Sequence, residues 1–334
     1  MRAIQFDRYG EPVQVLTLRE VPWPEVGDEE VLVRILASPI NPSDLLFIRG
    51  LYAGVQPSFP SPAGFEGVGL VDAPGRGTQG FERGQRVAVL NGERGGNWAE
   101  HSVVPQSRLF AVPDDLSTEQ VASFFINPAS AIAMVRRVLS VPPGEWLLQS
   151  AAGSELGHMI IKLARHDGIR TINVVRRRSS VAELEQLGAD VVIASEEGPI
   201  DEQVHRRVGS RGVKYAIDSV AGDTGTQIYQ ALSDDGHMLI YGSLTGEPIR
   251  VGADPRFILA GDRILEVFWL GAFLPRLDDA ARQNLFGEIV ALMRKGVLGT
   301  TRAVTFSLDE ISAAVRAAEA RGRQGKVLLV PAKQ

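Results

Sequence analysis

The sequence predicts an α/β fold in two parts: a turn-punctuated all-β unit, and a doubly wound parallel sheet whose strands alternate with helices. Three observations carry that prediction. Residues 1 to about 118 are broken by Pro22, Pro24, Pro42, Pro57, Pro60, Pro62, Gly75 and Gly77 into short strand-like runs. From Ser117 to about Gly246, strand-like and helix-like segments alternate instead. In the middle, Glu145 to Arg178 reads as strand, tight turn of small residues, helix and strand.

In the first part, Glu30–Leu36 and Gly84–Leu90 are the plainest strands, and their spacing suggests a mostly antiparallel, barrel-like unit. Asn41-Pro42-Ser43-Asp44 is turn chemistry, with Ser43 able to cap a short helix from Asp44 to Arg49. Thr118–Ala122 and Ala129–Leu139 carry helical spacing, and Asn127 before Pro128 suits a helix start. Strands follow at Val191–Ile193, Tyr215–Ile217 and His237–Tyr241, with helices between them. Helical stretches at 283–297 and Asp309–Arg321 precede a closing strand, Val327–Val330. This order fits a nucleotide-binding domain, 121–261, inserted into an all-β domain of 1–120 that resumes at 262–334.

Composition bounds the function. The 334 residues, 44% hydrophobic, suffice for two domains with cores of their own. A net charge of −5 gives no reason to expect nucleic acid or an anionic membrane as partner. No run of 18 apolar residues occurs, and Met1–Asp7 lacks the apolar core of a signal peptide, so a soluble, cytoplasmic protein is expected. The absence of cysteine excludes disulfides, thiolate nucleophiles and cysteine-ligated zinc. The five histidines (101, 158, 166, 205 and 237) show no metal spacing.

The richest segment runs from Trp146-Leu147-Leu148 through Ser150-Ala151-Ala152 and Gly153-Ser154-Glu155-Leu156-Gly157. A helical pattern, Met159–His166, and a second apolar run, Thr171–Val175, then lead into Arg176-Arg177-Arg178. Small residues at such a turn let the backbone approach a pyrophosphate seated on the helix N-terminus. The end of the second strand meets the adenosine ribose. Guanidinium groups there pair with a 2′-phosphate through double donors, so the expected cofactor is NADPH. Against G-x-G-x-x-G, only Gly157 stands in its place, and Glu155 brings an acid close to an anionic ligand. The segment by itself also suits a helix whose dipole Glu155 complements, beside a solvated arginine cluster. Tyr241-Gly242-Ser243-Leu244 ends another strand at the sheet edge where such folds bind ligands.

Several strings resemble the medium-chain dehydrogenase/reductase superfamily over essentially the whole chain. They are Ile40-Asn-Pro-Ser-Asp44, Gly50-Leu-Tyr52, Gly64-Phe-Glu-Gly67, Asn127-Pro128, Arg170–Arg176 and Phe268-Trp269-Leu270. The likeness is greatest to its zinc-independent branch, the quinone oxidoreductases and mitochondrial-type trans-2-enoyl thioester reductases. It implies a GroES-like β-barrel catalytic domain beside a Rossmann domain. Gly64-Phe65-Glu66 stands where the zinc alcohol dehydrogenases carry Gly-His-Glu, and phenylalanine cannot ligate a metal, so none is expected.

By resemblance, Tyr52 is the proton donor or enolate stabiliser, and Trp269, grouped with it as catalytic, lines the acyl pocket, though a tryptophan at a dimer seam would look the same in sequence. From the residues alone, Tyr52 also suits a half-buried loop aromatic. The same likeness assigns Asn127, Ser130, Phe268 and Leu270 to the nicotinamide side and Lys326 to the phosphate end of the cofactor. Asn41, Ser43 and Asp44 read as scaffold, and the role of Glu66 stays open. The implied reaction is NADPH-dependent reduction of a trans-2-enoyl thioester carried on CoA or acyl carrier protein. An NADPH:quinone or enone oxidoreductase and a non-catalytic NADPH-binding sensor are the alternatives. Arg49, Arg276 and Arg282 are candidates for a basic rim facing an acidic carrier, and a homodimer paired through strand Ile264–Phe273 is implied by resemblance.

Overall fold

The computed structural model describes residues 1–52, 56–92, 95–251, 262–300, 302–320, 322 and 325–331. Ala53 and Gly54 of the Tyr52 loop, and Arg321 at the expected end of the last helix, lie outside them. The chain divides into two compact units, 1–126 with 289–334, and 127–288.

In the first unit, Val31, Val33 and Ile35 alternate along the strand Glu30–Pro39 and turn the same face inward. They meet Val71, Val87, Val89, Val104 and Leu109 from four neighbouring strands in one buried cluster. Apolar residues of a single sheet converge in this way when the sheet folds round its own core. Its order runs Ala303–Ser307, Lys326–Val330, Glu30–Pro39, Glu66–Pro74, Arg86–Leu90, Leu109–Ala111, with His101–Pro105 also paired to Glu30–Pro39. All pairings are antiparallel except that between Ala303–Ser307 and Lys326–Val330. A second core gathers Phe6, Phe47, Phe65, Trp98 and Leu329 against the helix Ile311–Glu319. Trp98 is fully buried and donates its indole N–H to the Pro39 carbonyl at 3.1 Å. Gly64, at φ 93°, leaves the space that its ring fills.

The second unit carries six parallel strands in the order Val191–Ala194, Arg170–Val175, Trp146–Gln149, Val213–Asp218, Leu232–Ile240, Ile264–Val267. Numbered along the chain from Trp146–Gln149 this is 3-2-1-4-5-6, the order of a Rossmann sheet. The helix Glu155–His166 buries Met159, Ile160, Ile161, Leu163 and Ala164 and leaves its polar side outward. No helix among the described residues is long and apolar enough to cross a membrane.

The compact units divide at 126/127 and 288/289, where the sequence suggested 120/121 and 261/262, and Ile264–Val267 joins the parallel sheet beside Leu232–Ile240. Two elements differ from expectation. The expected strand Ile264–Phe273 stops at Val267: Phe268 makes one more ladder bond, to Ile240, and the amides of Ala272 and Phe273 then turn back onto the Trp269 carbonyl. That capture starts the short helix Leu270–Phe273, with Gly271 lying directly against the Trp269 indole. The helix expected at Ala129–Leu139 begins earlier, at Ile126, and is wound as a π-helix over Ala133–Val138.

Candidate active site

In the first unit the site residues rest on a buried polar network. Asn41 precedes the helix Pro42–Ile48, and its backbone N–H is taken by Asp44 Oδ2 at 2.7 Å. Asp44 Oδ1 accepts the Phe65 N–H at 2.9 Å, which ties the helix to the Gly64-Phe65-Glu66 string. The Asn41 side chain donates to Glu66 Oε1 at 2.9 Å and accepts from the Lys326 ammonium. Glu66 Oε2 accepts the N–H groups of Phe125 and Ile126 at 3.3 and 2.9 Å. Asn41, Asp44, Glu66 and Lys326 are each at most 2% exposed. Burial, reinforced by the Glu66 charge, pushes Asp44 up to about 7 against its two amide donors and Lys326. Burial also raises Glu66, opposed by the Ile126 amide, Lys326 and Asn41.

Tyr52 lies four residues beyond the end of that helix, after Gly50 at φ 75°. Its ring packs edge-on against Phe65 with centroids 5.6 Å apart, and Phe65 meets Phe47 at 5.2 Å. Tyr52 is half-buried at the margin of the second core. Phe65 is 3% exposed and fills its position with a ring. Among the described residues, no group of three or more histidine, aspartate or glutamate side chains could hold a metal, and the chain has no cysteine. A zinc coordination set does not fit.

In the second unit Ser150, Gly153–Gly157, Arg176–Arg178, Tyr241–Leu244 and Phe268–Leu270 all follow the C-terminal ends of parallel strands. The sheet thereby gathers them along one edge, as a dinucleotide requires. Ala151 takes a left-handed φ of 48°, and Ala152 N–H bonds Val174 at 3.1 Å, fastening the turn to the next strand. Ser154 caps the helix Glu155–His166, its hydroxyl accepting the Gly157 N–H at 3.1 Å. A Cβ at Gly157 would lie 2.5 Å from the Ala152 carbonyl oxygen, so the tight turn needs glycine there. At Gly153 a Cβ would meet nothing within 4 Å and would only stand over the open face of the turn.

This turn, with a twelve-residue helix behind it, fits a pyrophosphate. Leu156 and Glu155 occupy the first helical turn, half-buried, and Glu155 acts electrostatically on Lys162. The arginines divide. Arg178 pairs with Glu197 at 2.5 Å, whereas Arg176 and Arg177 are exposed and make no ion pair among the described residues. Tyr241 carries a buried hydroxyl whose interaction with Ser219 falls short of a well-formed hydrogen bond, and burial pushes it up to about 12. Gly242 is half-buried, and Ser243 and Leu244 are exposed beyond it. Asn127 is half-buried and Ser130 buried on the helix Ile126–Ile132. Phe268 is buried against Phe273 at 5.8 Å, Leu270 is half-buried, and Trp269 is 41% exposed.

Lys326, expected at the cofactor's phosphate end, is 2% exposed in the first unit, with its ammonium donating to Asn41. Arg49, a candidate for a basic rim, is paired with Glu11 and Glu319 at 2.9 and 2.5 Å. One supporting pair escaped the sequence. Asp218 ends the fourth strand and accepts the Ser150 hydroxyl, together with the N–H groups of Val220 and Ala221 at 3.0 and 2.8 Å. A lone acid closing the apolar run Tyr215-Ala-Ile217 was the available signal.

Comparison with known proteins agrees with this geometry. Residues 27–114 match the model of the alcohol dehydrogenase GroES-like domain, and residues 156–283 that of the zinc-binding dehydrogenases. The mitochondrial enoyl-[acyl-carrier-protein] reductase of Homo sapiens is 30% identical over 321 residues, covering 95% of this chain and 85% of that protein. That of Dictyostelium discoideum is 30% identical over 301 residues, covering 88% and 85%. The crystal structure of Escherichia coli quinone oxidoreductase complexed with NADPH superposes with a TM-score of 0.91 at 25% identity, covering 99% of this chain and 100% of that one. The chain is an oxidoreductase that belongs to the medium-chain dehydrogenase/reductase superfamily, with enoyl reductases and quinone oxidoreductases among its relatives.

Proposed function

We propose that the protein reduces the C2–C3 double bond of trans-2-enoyl thioesters with NADPH. The observation that carries this reading is the state of the acids around Tyr52. Both oxygens of Asp44 and both of Glu66 accept buried N–H groups, which ties these two acids into the scaffold. The phenol of Tyr52, half-buried against Phe65, stands at the margin of that scaffold and is the acid proposed to meet the substrate. The enoyl reductases among the relatives support the thioester.

Bound NADPH supplies the hydride that adds to Cβ. The turn Ser150–Gly157 and the helix dipole hold the pyrophosphate, Arg176 and Arg177 take the 2′-phosphate, and Tyr241 offers a hydroxyl to the bound cofactor. Tyr52 stabilises the enolate oxygen as charge develops and passes its proton, directly or through water, to Cα. Phe268 and Trp269 provide apolar surface beside the nicotinamide, with Asn127 and Ser130 as its polar contacts.

A quinone or enone as acceptor is the second reading, favoured by the likeness to the quinone oxidoreductase. Loss of NADPH absorbance with trans-2-hexenoyl-CoA and with 1,4-benzoquinone separates the two. Thioester-dependent turnover is expected, and turnover with quinone alone replaces the thioester reading. NADPH binding without turnover on either compound would indicate a sensor. We infer a cytoplasmic homodimer joined along the edge strand Ile264–Val267, whose Ile264, Leu265 and Val267 side chains are exposed. Light scattering is expected to give twice the chain mass; a monomer would refute the pairing.

A further inference from the structure

We propose that Gln149 is a positioning residue for the cofactor, holding the first turn of the helix Glu155–His166 by its Gly157 carbonyl, with Asn173 as its support. This role rests on the reading of Ser150–Gly157 as the pyrophosphate seat.

A parallel sheet covered on both faces is built from continuous apolar runs. Leu147, Leu148, Ile172 and Val174 follow that pattern, each at most 3% exposed. Gln149, Thr171 and Asn173 break it, although they are at most 1% exposed. Gln149 stands directly opposite Asn173 in the register of Trp146–Gln149 with Arg170–Val175. The three side chains form one connected set of hydrogen bonds. The Gln149 nitrogen donates to Asn173 Oδ1 at 2.7 Å and to the Gly157 carbonyl at 3.1 Å. Asn173 in turn donates to Thr171 Oγ1 at 2.9 Å and to the Val191 carbonyl at 3.0 Å. Thr171 donates its hydroxyl to Asp190 at 3.3 Å and its N–H to the same carboxylate oxygen at 2.8 Å. Asp190 is exposed, so the relay runs from the helix to a solvated charge. Each side chain donates towards Asp190, and neither amide can turn over without setting oxygen against oxygen.

The Gly157 peptide is thereby held on both sides. Ser154 accepts its N–H at 3.1 Å, Gln149 donates to its carbonyl, and the absent Cβ admits the Ala152 backbone. Helix carbonyls point away from the N-terminus, so Gln149 grips the turn from the side opposite to a bound anion. Recognition by N–H groups tolerates errors of only about 0.5 Å, and the first turn carries those groups. Stability alone does not account for Gln149. Its oxygen is buried without a hydrogen-bond partner among the described residues, a cost that an apolar side chain would avoid. What the amide adds at this position is a nitrogen that reaches Gly157.

The test compares wild type with three variants. Gln149→Met keeps the length of the side chain and loses its donors. Gln149→Asn keeps an amide one methylene too short for Gly157. Gln149→Met combined with Asn173→Leu removes both amides, and carries the test should a single variant fail to fold. Calorimetric titration gives Kd for NADPH and for adenosine 2′-monophosphate, which has the 2′-phosphate but no pyrophosphate. Tm is read alongside, with kcat at saturating NADPH on whichever electrophile the wild type reduces. NADPH Kd is expected to rise about 10-fold in each variant, while Kd for the monophosphate stays within about 2-fold and kcat holds. Unchanged NADPH affinity, or equal losses for the two ligands, overturns the proposal. Gly157→Ala separates the two ways of failing. If it weakens NADPH and the Gln149 variants do not, the seat stands and the part given to Gln149 is refuted. If it leaves NADPH affinity unchanged, the seat itself is refuted and Gln149 with it.

Discussion

Tyr52 is held through Phe65 by a network of ionisable side chains, Asp44, Glu66 and Lys326, drawn from distant parts of the sequence. The turn Ser150–Gly157 is held mostly by backbone: a left-handed Ala151, a main-chain bond to Val174 and a missing Cβ at Gly157. The buried acid beside it, Asp218, serves a hydroxyl and two amides. The difference has a reason. A pyrophosphate is recognised by N–H groups brought close to it, so the second unit must shape main chain and keep side chains away. In the proposed reaction an enolate needs a proton donor at one point, so the first unit would have to aim a side chain, and side chains are aimed by other side chains.

The comparison can be broken most severely at Gly157. In Gly157→Ala the new Cβ would meet the Ala152 carbonyl at 2.5 Å, and NADPH Kd is expected to rise about 100-fold or more, with a lower Tm. Unchanged affinity in a titration would show that the turn yields and that shape does not rule it. Next comes Tyr52→Phe, which keeps the ring on Phe65 and removes the proton. Its kcat should fall about 100-fold while NADPH Kd stays level, and equal turnover would remove Tyr52 from the chemistry.

Arg176→Ala sharpens the charge-based recognition proposed for the second unit. NADPH should weaken about 10-fold and NADH little, measured by fluorescence titration. Equal losses for both cofactors would reject the 2′-phosphate assignment. The smallest effect is on the pH dependence of stability. The Asp44 pKa is raised in the fold from 3.8 to about 7, so its protonated form favours the native state. Its contribution is complete below about 3.8 and is lost as the pH climbs towards about 7. In Asp44→Asn that part of the slope in Tm between acid and neutral pH should vanish; an unaltered slope would place the titration elsewhere.

The parallel sheet and the tight turn after its first strand were legible in the sequence because they are local. Apolar runs alternate with helical spacing, and Gly157 sits a fixed distance from the strand that precedes it. The network under Tyr52 was not legible. Lys326 reads as a surface lysine until a partner 285 residues away takes its ammonium. Glu66 was recognised without a role because its partners, the amides of Phe125 and Ile126, are backbone groups about sixty residues on and carry no sequence mark. The stretch from Ile264 to Phe273 misled for another reason. Short apolar runs suit a strand and a helix alike, and only the folding of Gly271 against Trp269 divides this one into both.

Trp98 gives the first unit an optical signature of its own. Its indole is sealed in the core, while Trp23 and Trp269 are 59% and 41% exposed. Iodide therefore quenches those two first, and with half-buried Trp146 replaced in Trp146→Phe the emission that survives comes largely from Trp98. Followed through a denaturant titration, that surviving light reports the opening of the core beneath Gly64, and so tells whether the scaffold under Tyr52 melts together with the nucleotide-binding sheet or apart from it.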